Sequence, residues 1–321
     1  MPTGIDYFFY LYIKIISAHD FFFMTCTEKI KQYAYSLGFD ACGVSSAGSV
    51  DPKTEVAYRD WLRKNRNAQM EYMSRNIDKR LDPRLLVENA KSIISVALNY
   101  YPAQTLPAEA PQIAYYAYGD DYHQVVRSKL QKLFTFVCQH HPTASGRYFC
   151  DTAPVLERYW AARSGIGFVG KNNLLIIPQK GSYFFLGEII IDIELDTDSP
   201  IDQQCDTCNR CISSCPTGAL EGANCLNANK CISYQTIENK EDIAVPLHQY
   251  VYGCDICQQM CPHNRFATPH CTQELHPSTD FLSLDHNRLS TMNEETFQAI
   301  FRKSAIKRIG LKGLKRNVVR I

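Results

Sequence analysis

The chain has almost no net charge. Its 34 Lys and Arg against 33 Asp and Glu leave a formal +1, so no global field marks it as a nucleic-acid or membrane binder, and any such contact has to come from a local patch. A membrane-length apolar run is also missing. Residues 7–23 are aromatic and apolar, but Lys14, His19 and Asp20 interrupt them, leaving too short an uncharged stretch to span a bilayer. The same segment lacks the basic start and small-residue cleavage site of a secretory signal, and there is no twin-arginine export signal. Low-complexity tracts and solenoid-period repeats are absent, which sets aside linker-rich and repeat architectures.

What the chain does have is length for a real core, with 321 residues of which 45% are hydrophobic. An ordinary domain pattern begins at Met24, the expected biological start, which makes residues 1–23 a non-native extension. The spacing predicts a helix over 27–37 closed by Gly38, strands over 39–44 and 92–98, and a helix over 122–138 with Val125, Val126, Leu130, Leu133, Phe134 and Val137 on one face. A helix over 154–164 and strands over 174–177 and 183–193 follow. Strands alternating with helices imply an α/β catalytic domain over 24–198, then a cysteine-rich module over 199–270 and a short basic helical tail over 271–321.

Cysteine is abundant, with 14 residues. Seven fall in tight runs rather than in the spread of a small secreted disulfide domain, which points to a reducing, cytoplasmic setting. Cys205, Cys208, Cys211 and Cys215-Pro216 form C-x2-C-x2-C-x3-C-P, the run whose fourth cysteine serves the other cluster in two-cluster ferredoxins. Cys254, Cys257 and Cys261-Pro262 form a second run without its first cysteine, and Cys231 supplies one across an insertion. Crossing the runs assigns one [4Fe–4S] cluster to Cys205, Cys208, Cys211 and Cys261, and the other to Cys215, Cys231, Cys254 and Cys257. Zinc sites with four cysteine ligands also use C-x2-C pairs, but two runs ending in C-x3-C-P favour iron–sulfur chemistry.

Two other patterns mislead. Gly165, Gly167 and Gly170 match G-x-G-x-x-G, yet a helix leads in and a strand leads out, the reverse of a dinucleotide-binding turn. Asp121 and His123 begin a D-x-H-x-x-G cobalamin pattern in which Val126 replaces the glycine, so a metal-ligating role for His123 is rejected.

Several segments together resemble the epoxyqueuosine reductases, cobalamin- and iron–sulfur-dependent enzymes of tRNA modification. They are Lys79-Arg80-Leu81-Asp82-Pro83, Gly119-Asp120-Asp121-Tyr122-His123, residues 151–158, Gly165-Ile166-Gly167-Phe168 with Lys171-Asn172, Gly181-Ser182-Tyr183, Cys231-Ile232-Ser233 and Tyr252-Gly253-Cys254-Asp255. The resemblance implies reduction of the epoxide of epoxyqueuosine, at the wobble position of tRNA, to the alkene of queuosine. It implies Asp151 as proton donor, and places Arg80, Asp151, Arg158, Lys171, Asn172, Leu186, Ser233, Cys254 and Asp255 at or beside cobalamin. A proton-donating carboxyl needs its pKa raised, which burial supplies, whereas Arg158 pulls the other way. The plain structural alternative for Asp151 is a helix N-cap before Pro154. The basic tail, with Lys307, Arg308, Lys312, Lys315 and Arg316, suits the phosphates of an anticodon stem-loop. The expected partners are tRNA and an external low-potential electron donor, with the chain a monomer and no membrane. Two rival readings are a reductive dehalogenase acting on a small halogenated molecule and a non-enzymatic two-cluster electron carrier.

Overall fold

The computed structural model describes residues 24–321; the expected extension over 1–23 lies outside the described residues. Helix α1, Cys26–Ser36, starts at a capping box between Thr25 and Glu28 and ends where Gly38 takes φ +88°. Strand β1, Ala41–Ser46, follows. Helix α2, Pro52–Arg63, is capped by Asp51 with proline at its start. Its lack of any fully buried residue explains why apolar periodicity does not reveal it. Next come α3, Ile77–Leu81, and β2, Ser92–Asn99, buried along its whole length. The short β3, Gln112–Ile113, precedes the long α4, Tyr122–His140. Strand β4, Gly146–Phe149, leads through an irregular turn into α5, Glu157–Arg163. The hairpin of β5, Phe168–Val169, and β6, Leu175–Ile176, then leads to β7, Phe184–Ile191.

The main sheet has strand order β1-β2-β7-β4, and every neighbouring pair is antiparallel. The alternation of helices and strands therefore does not build parallel crossovers; the domain is of the α+β kind. Helices cover both faces, so the central strands are buried without alternation. One face, with Val44, Val96 and Ile189, packs on α1 and α4. The other carries Leu186 and Ile190 towards α5. At Gly43 a Cβ would stand 2.0 Å from the Ser164 carbonyl, so only glycine lets the end of α5 lie on β1. The glycine-rich 165–170 stretch is the turn out of α5 together with strand β5, not a strand-to-helix phosphate loop.

The cysteine module holds α6, Arg210–Ser213; the β8–β9 ribbon, Leu220–Gly222 and Cys225–Leu226; α7, Ile232–Ile237; β10, Tyr250–Tyr252; and α8, Ile256–Gln259. Strand β10 pairs in parallel with β3 of the preceding region. The tail forms α9, Thr279–Leu282; α10, His286–Thr291; α11, Glu294–Phe301; and α12, Gly310–Val318. Phe297, Phe301, Leu314 and Val318 share one core with Ile113, Tyr118 and Tyr252, so the tail is packed into the body rather than trailing from it. No helix among the described residues is long and apolar enough to cross a membrane.

Candidate active site

The cysteines of the two runs and Cys231 come together in one region of the module. Cys205, Cys208, Cys211 and Cys261 line one cleft together with Lys171, Asn172 and His263. Around Cys257, burial and then the negative charge of its neighbours push the thiol up to about 12, and those neighbours include Cys231 and Cys215. Cys254 in turn feels Cys231 and Cys257. Cys215 accepts the Ala219 amide at 3.2 Å, the donor pattern that stabilises a thiolate. No three His, Cys, Asp or Glu side chains among the described residues focus on one point closely enough for a single metal ion. The thiols of these runs with Cys231 number eight, the ligand count that two cubanes need, one thiolate at each iron corner.

Asp151 lies just beyond β4, at φ +57°. It does not cap a helix: α5 begins three residues after Pro154, with Leu156 at its N-cap, because residues 150–156 are spent on a pair of tight turns. The Asp151 Oδ2 accepts the Tyr122 hydroxyl at 2.6 Å and lies 3.2 Å from His123 Nε2. His123 Nδ1 is 2.6 Å from Asp121 Oδ1, and Lys307 Nζ pairs with the other Asp121 oxygen at 3.0 Å. A line of groups thus runs Lys307, Asp121, His123, Asp151.

The electrostatics of that line depart from the sequence expectation. Burial raises the Asp151 pKa, but the hydrogen bonds from His123 and Tyr122 and the charges of His123 and Arg158 outweigh it, and the net direction is down. The pull of Arg158 is as expected; the dominant contribution of His123 was not. Burial opposes the imidazolium, yet Asp121 and Asp151 raise His123 to about 9. Asp121, also desolvated, is held down to about 2 by His123 and Lys307. The resting site therefore keeps a carboxylate at Asp151 and its proton on His123.

The other positions divide. Arg80 is buried, donates to the Tyr72 carbonyl, and leaves its Nε without a partner. An orphaned buried donor fits an amide- or phosphate-bearing ligand such as cobalamin. Arg158 is exposed on α5 and acts on both Asp151 and Tyr100. Ser233 is half-buried in the first turn of α7. Lys171 donates to the Asp206 carbonyl and Asn209, and Asn172 reaches the Cys257 carbonyl at 3.5 Å, so both brace the cysteine loops. Leu186 is a core residue beside Ala97 and Ala161. Asp255 is buried, accepts the Tyr115 amide at 2.7 Å, and is pushed up to about 7 by burial.

Three of the five expected tail cations have partners within the chain. Lys307 pairs with Asp121, Arg308 with Glu238 at 2.6 Å, and Arg316 donates to the carbonyls of Asn239, Glu241 and Gln235. Lys312 is exposed and Lys315 half-buried. A second basic feature was not foreseen. A cavity of about 380 Å³ beside the Asp151 turn is lined by Arg127, Arg147, Tyr148, Phe149, Thr152 and Pro154, among others. There the Arg127 guanidinium lies 5.5 Å from the Tyr148 ring centroid, and that of Arg147 lies 5.0 Å from Phe149.

In the sequence alone His123 and Tyr122 have no visible work, because their partner Asp151 lies 28 and 29 residues on. Glu188 was missed altogether, although a lone acid inside an apolar strand is a signal in itself.

Residues 80–152 match the family described as Epoxyqueuosine reductase QueG, DUF1730, and residues 204–264 match the 4Fe-4S double cluster binding domain. The epoxyqueuosine reductase of Cyclobacterium marinum is 44% identical over 302 residues, covering 91% of this chain and 95% of the relative. A crystal structure of an epoxyqueuosine reductase with an epoxyqueuosine-modified tRNA-Tyr stem loop has TM-score 0.81 at 31% identity, covering 91% of this chain and 79% of that one. The Bacillus subtilis epoxyqueuosine reductase, with a catalytic aspartate loop swung out of its active site, has TM-score 0.80 at 30% identity over 91% of this chain and 79% of that one. Relatives this similar over nearly the whole length of both chains show that the chain belongs to the epoxyqueuosine reductase family.

Proposed function

We propose that this chain reduces epoxyqueuosine in tRNA to queuosine, with Asp151 and His123 acting together as the proton source. The observation that carries this reading is the His123–Asp151 hydrogen bond, backed by Asp121 and Lys307, on the sheet domain that adjoins the thiol quartets. The reaction breaks both C–O bonds of the epoxide, consumes two electrons and two protons, and releases water. Cobalamin, when bound, supplies the cobalt chemistry that passes electrons from the clusters to the substrate carbon.

The chain's own residues do the rest. Arg80, Arg158 and Ser233 are the side chains suited to hold cobalamin; Lys171 and Asn172 steady the loops around it, and Leu186 and Asp255 support it through backbone and core. The crossed assignment of the eight cysteines is supported by the grouping of Cys261 with Cys205, Cys208 and Cys211. His123 Nε2 passes its proton through Asp151 to the leaving oxygen, so the carboxyl acts as an acid only while its partner starts as an imidazolium, and the second proton of the released water comes from solvent. A relative has been crystallised with a modified tRNA stem loop, and the pairing of arginines with aromatic rings beside Asp151 is what unstacked nucleotides of such a loop bind. On this reading Arg127, Arg147, Lys312 and Lys315 meet tRNA, whereas Lys307, Arg308 and Arg316 hold the fold. The chain works in the cytoplasm as a monomer, with an external low-potential donor feeding the clusters.

The test is anaerobic reconstitution, an iron and cobalt count, and mass analysis of tRNA nucleosides after incubation with a low-potential reductant. Queuosine formed at the expense of epoxyqueuosine is the expected result; a cluster-replete, cobalamin-loaded protein that leaves epoxyqueuosine untouched would overturn the reading.

A further inference from the structure

Glu188 is the most isolated charge-bearing side chain near the site. It sits in the middle of β7, 0% exposed, and neither carboxyl oxygen has a protein donor. Directly opposite on β2, Ser95 leaves its hydroxyl unpartnered as well. Both face the side of the sheet that α5 covers, where Glu157 occupies the first helical position. Glu157 and Glu188 are close enough to act on each other, and burial together with neighbouring carboxylate charge pushes both carboxyls up. Two carboxylates offer each other no hydrogen, so a buried pair of this kind is held by one proton between them.

Glu157 has a second bond. Its Oε1 accepts the backbone N–H of Asp151 at 2.5 Å. Asp151 needs such a tie: with φ +57°, and with the Thr152 amide donating to the Cys150 carbonyl at 2.6 Å, it occupies the centre of a three-residue turn of the strained, positive-φ kind. The geometry points to Glu157 and Glu188 as positioning residues that share a single proton and latch the Asp151 turn in its working conformation. The inference rests on the reading of Asp151 as the proton-donating residue.

The logic is electrostatic. With one proton present the pair carries one negative charge, and Glu157 keeps a lone pair for the Asp151 amide. When that proton leaves, two carboxylates repel in a dry space, Glu157 is driven off, and the turn is free to relax. The charged or titratable groups around the pair are Asp151 and Cys150 from the turn and Arg158 from α5; Asp151 adds negative charge and Arg158 partly cancels it. Cys150 is buried and stays a neutral thiol, and β2 contributes only Ser95. Behind Asp151 stand Tyr122 and His123, with Asp121 beyond.

The experiment is hydrogen exchange of the Asp151 amide in the cofactor-loaded protein, resolved by fragmentation mass spectrometry and corrected for intrinsic rates, across neutral to alkaline pH. Wild type should protect this amide at neutral pH and lose the protection as the pair gives up its proton. Glu188→Gln, whose amide donates permanently to Glu157, should keep it throughout. Glu157→Ala should lose about tenfold in protection, the scale of one hydrogen bond to a charged acceptor, and slow single-turnover reduction with little change in KM for tRNA. Glu157→Gln, which still accepts the Asp151 N–H, should rescue both. An E188Q profile that follows wild type, or an Asp151 amide unchanged in Glu157→Ala, would overturn the latch. The E188Q comparison decides the question even where Glu157→Ala fails to fold. Because exchange is read without turnover, failure of the catalytic assignment would appear separately, as normal turnover by Asp151→Asn.

Discussion

Replacing Asp121 by Asn should pull the alkaline limit of turnover towards neutrality without touching substrate. Asn keeps an oxygen to accept from His123 Nδ1 and removes only the charge. His123 is raised from 6.5 to about 9, which corresponds to about 3 kcal/mol in favour of the imidazolium. Of its two carboxylate partners, Asp121 is the closer, at 2.6 Å against 3.2 Å, and the less exposed, at 11% against 52%. Asp121 therefore supplies the larger part, and its loss also leaves Lys307 beside the ring. His123 should then titrate nearer about 7, a fall of roughly two pH units in the alkaline limb. The assay is single-turnover conversion of epoxyqueuosine from about pH 6 to about pH 10, with cofactor content checked at each point. Stability should follow the same linkage. The His123 contribution is complete below its unfolded value of 6.5 and is lost as pH rises through about 9. That of Asp121, depressed to about 2, is complete above 3.8 and lost as pH falls through about 2. An alkaline limb that is identical in wild type and Asp121→Asn would refute the relay.

Asp151→Asn should retain both clusters and cobalamin yet reduce epoxyqueuosine about 100- to 10,000-fold more slowly, the usual range for losing a general acid; near-normal nucleoside conversion would remove Asp151 from the chemistry. Cys231→Ala should halve the iron content, from about eight to about four per chain, because one quartet loses a member while the other is intact; iron analysis and electron paramagnetic resonance check it. Changing Arg127 and Arg147 together to Ala should raise KM for tRNA and flatten the salt dependence of binding by about two phosphate contacts, while Arg316→Ala should lower stability before it affects tRNA affinity. Equal salt slopes for wild type and the Arg127/Arg147 double variant would move the nucleic-acid surface elsewhere.

The features legible in the sequence are those whose physics is local. Cysteines two and three residues apart must wrap a common centre, so Cys205, Cys208 and Cys211 announce themselves, and Gly38 marks a helix end. The relations that cross the chain are hidden. Nothing beside Asp151 shows that His123 will decide its protonation, nor that the turn over 150–156 will delay α5 past Pro154. The alternating order of helices and strands does not fix the direction in which strands pair, so the antiparallel order is seen only in the sheet itself. The positive charges of the tail are visible as composition, but whether Arg316 faces phosphate or the carbonyls of Gln235, Asn239 and Glu241 is decided by packing. Helix α2 was missed because its faces are all partly wet. Glu188 was readable and unread.

The inward turn of α12 also bears on how the protein matures. Asn317, fully buried, donates to the carbonyls of Thr236 and Val251, and with Arg316 it closes the segment running from Cys231 to Cys254. A chain emerging from the ribosome exposes its last ligand, Cys261, well before these residues arrive. Iron delivered to so early an intermediate would meet thiols on an unsecured loop; the finished enclosure exists only after residue 317 has left the exit tunnel. Closure over the second quartet thus waits on α12, whose Asn317 holds the carbonyls of Thr236 and Val251.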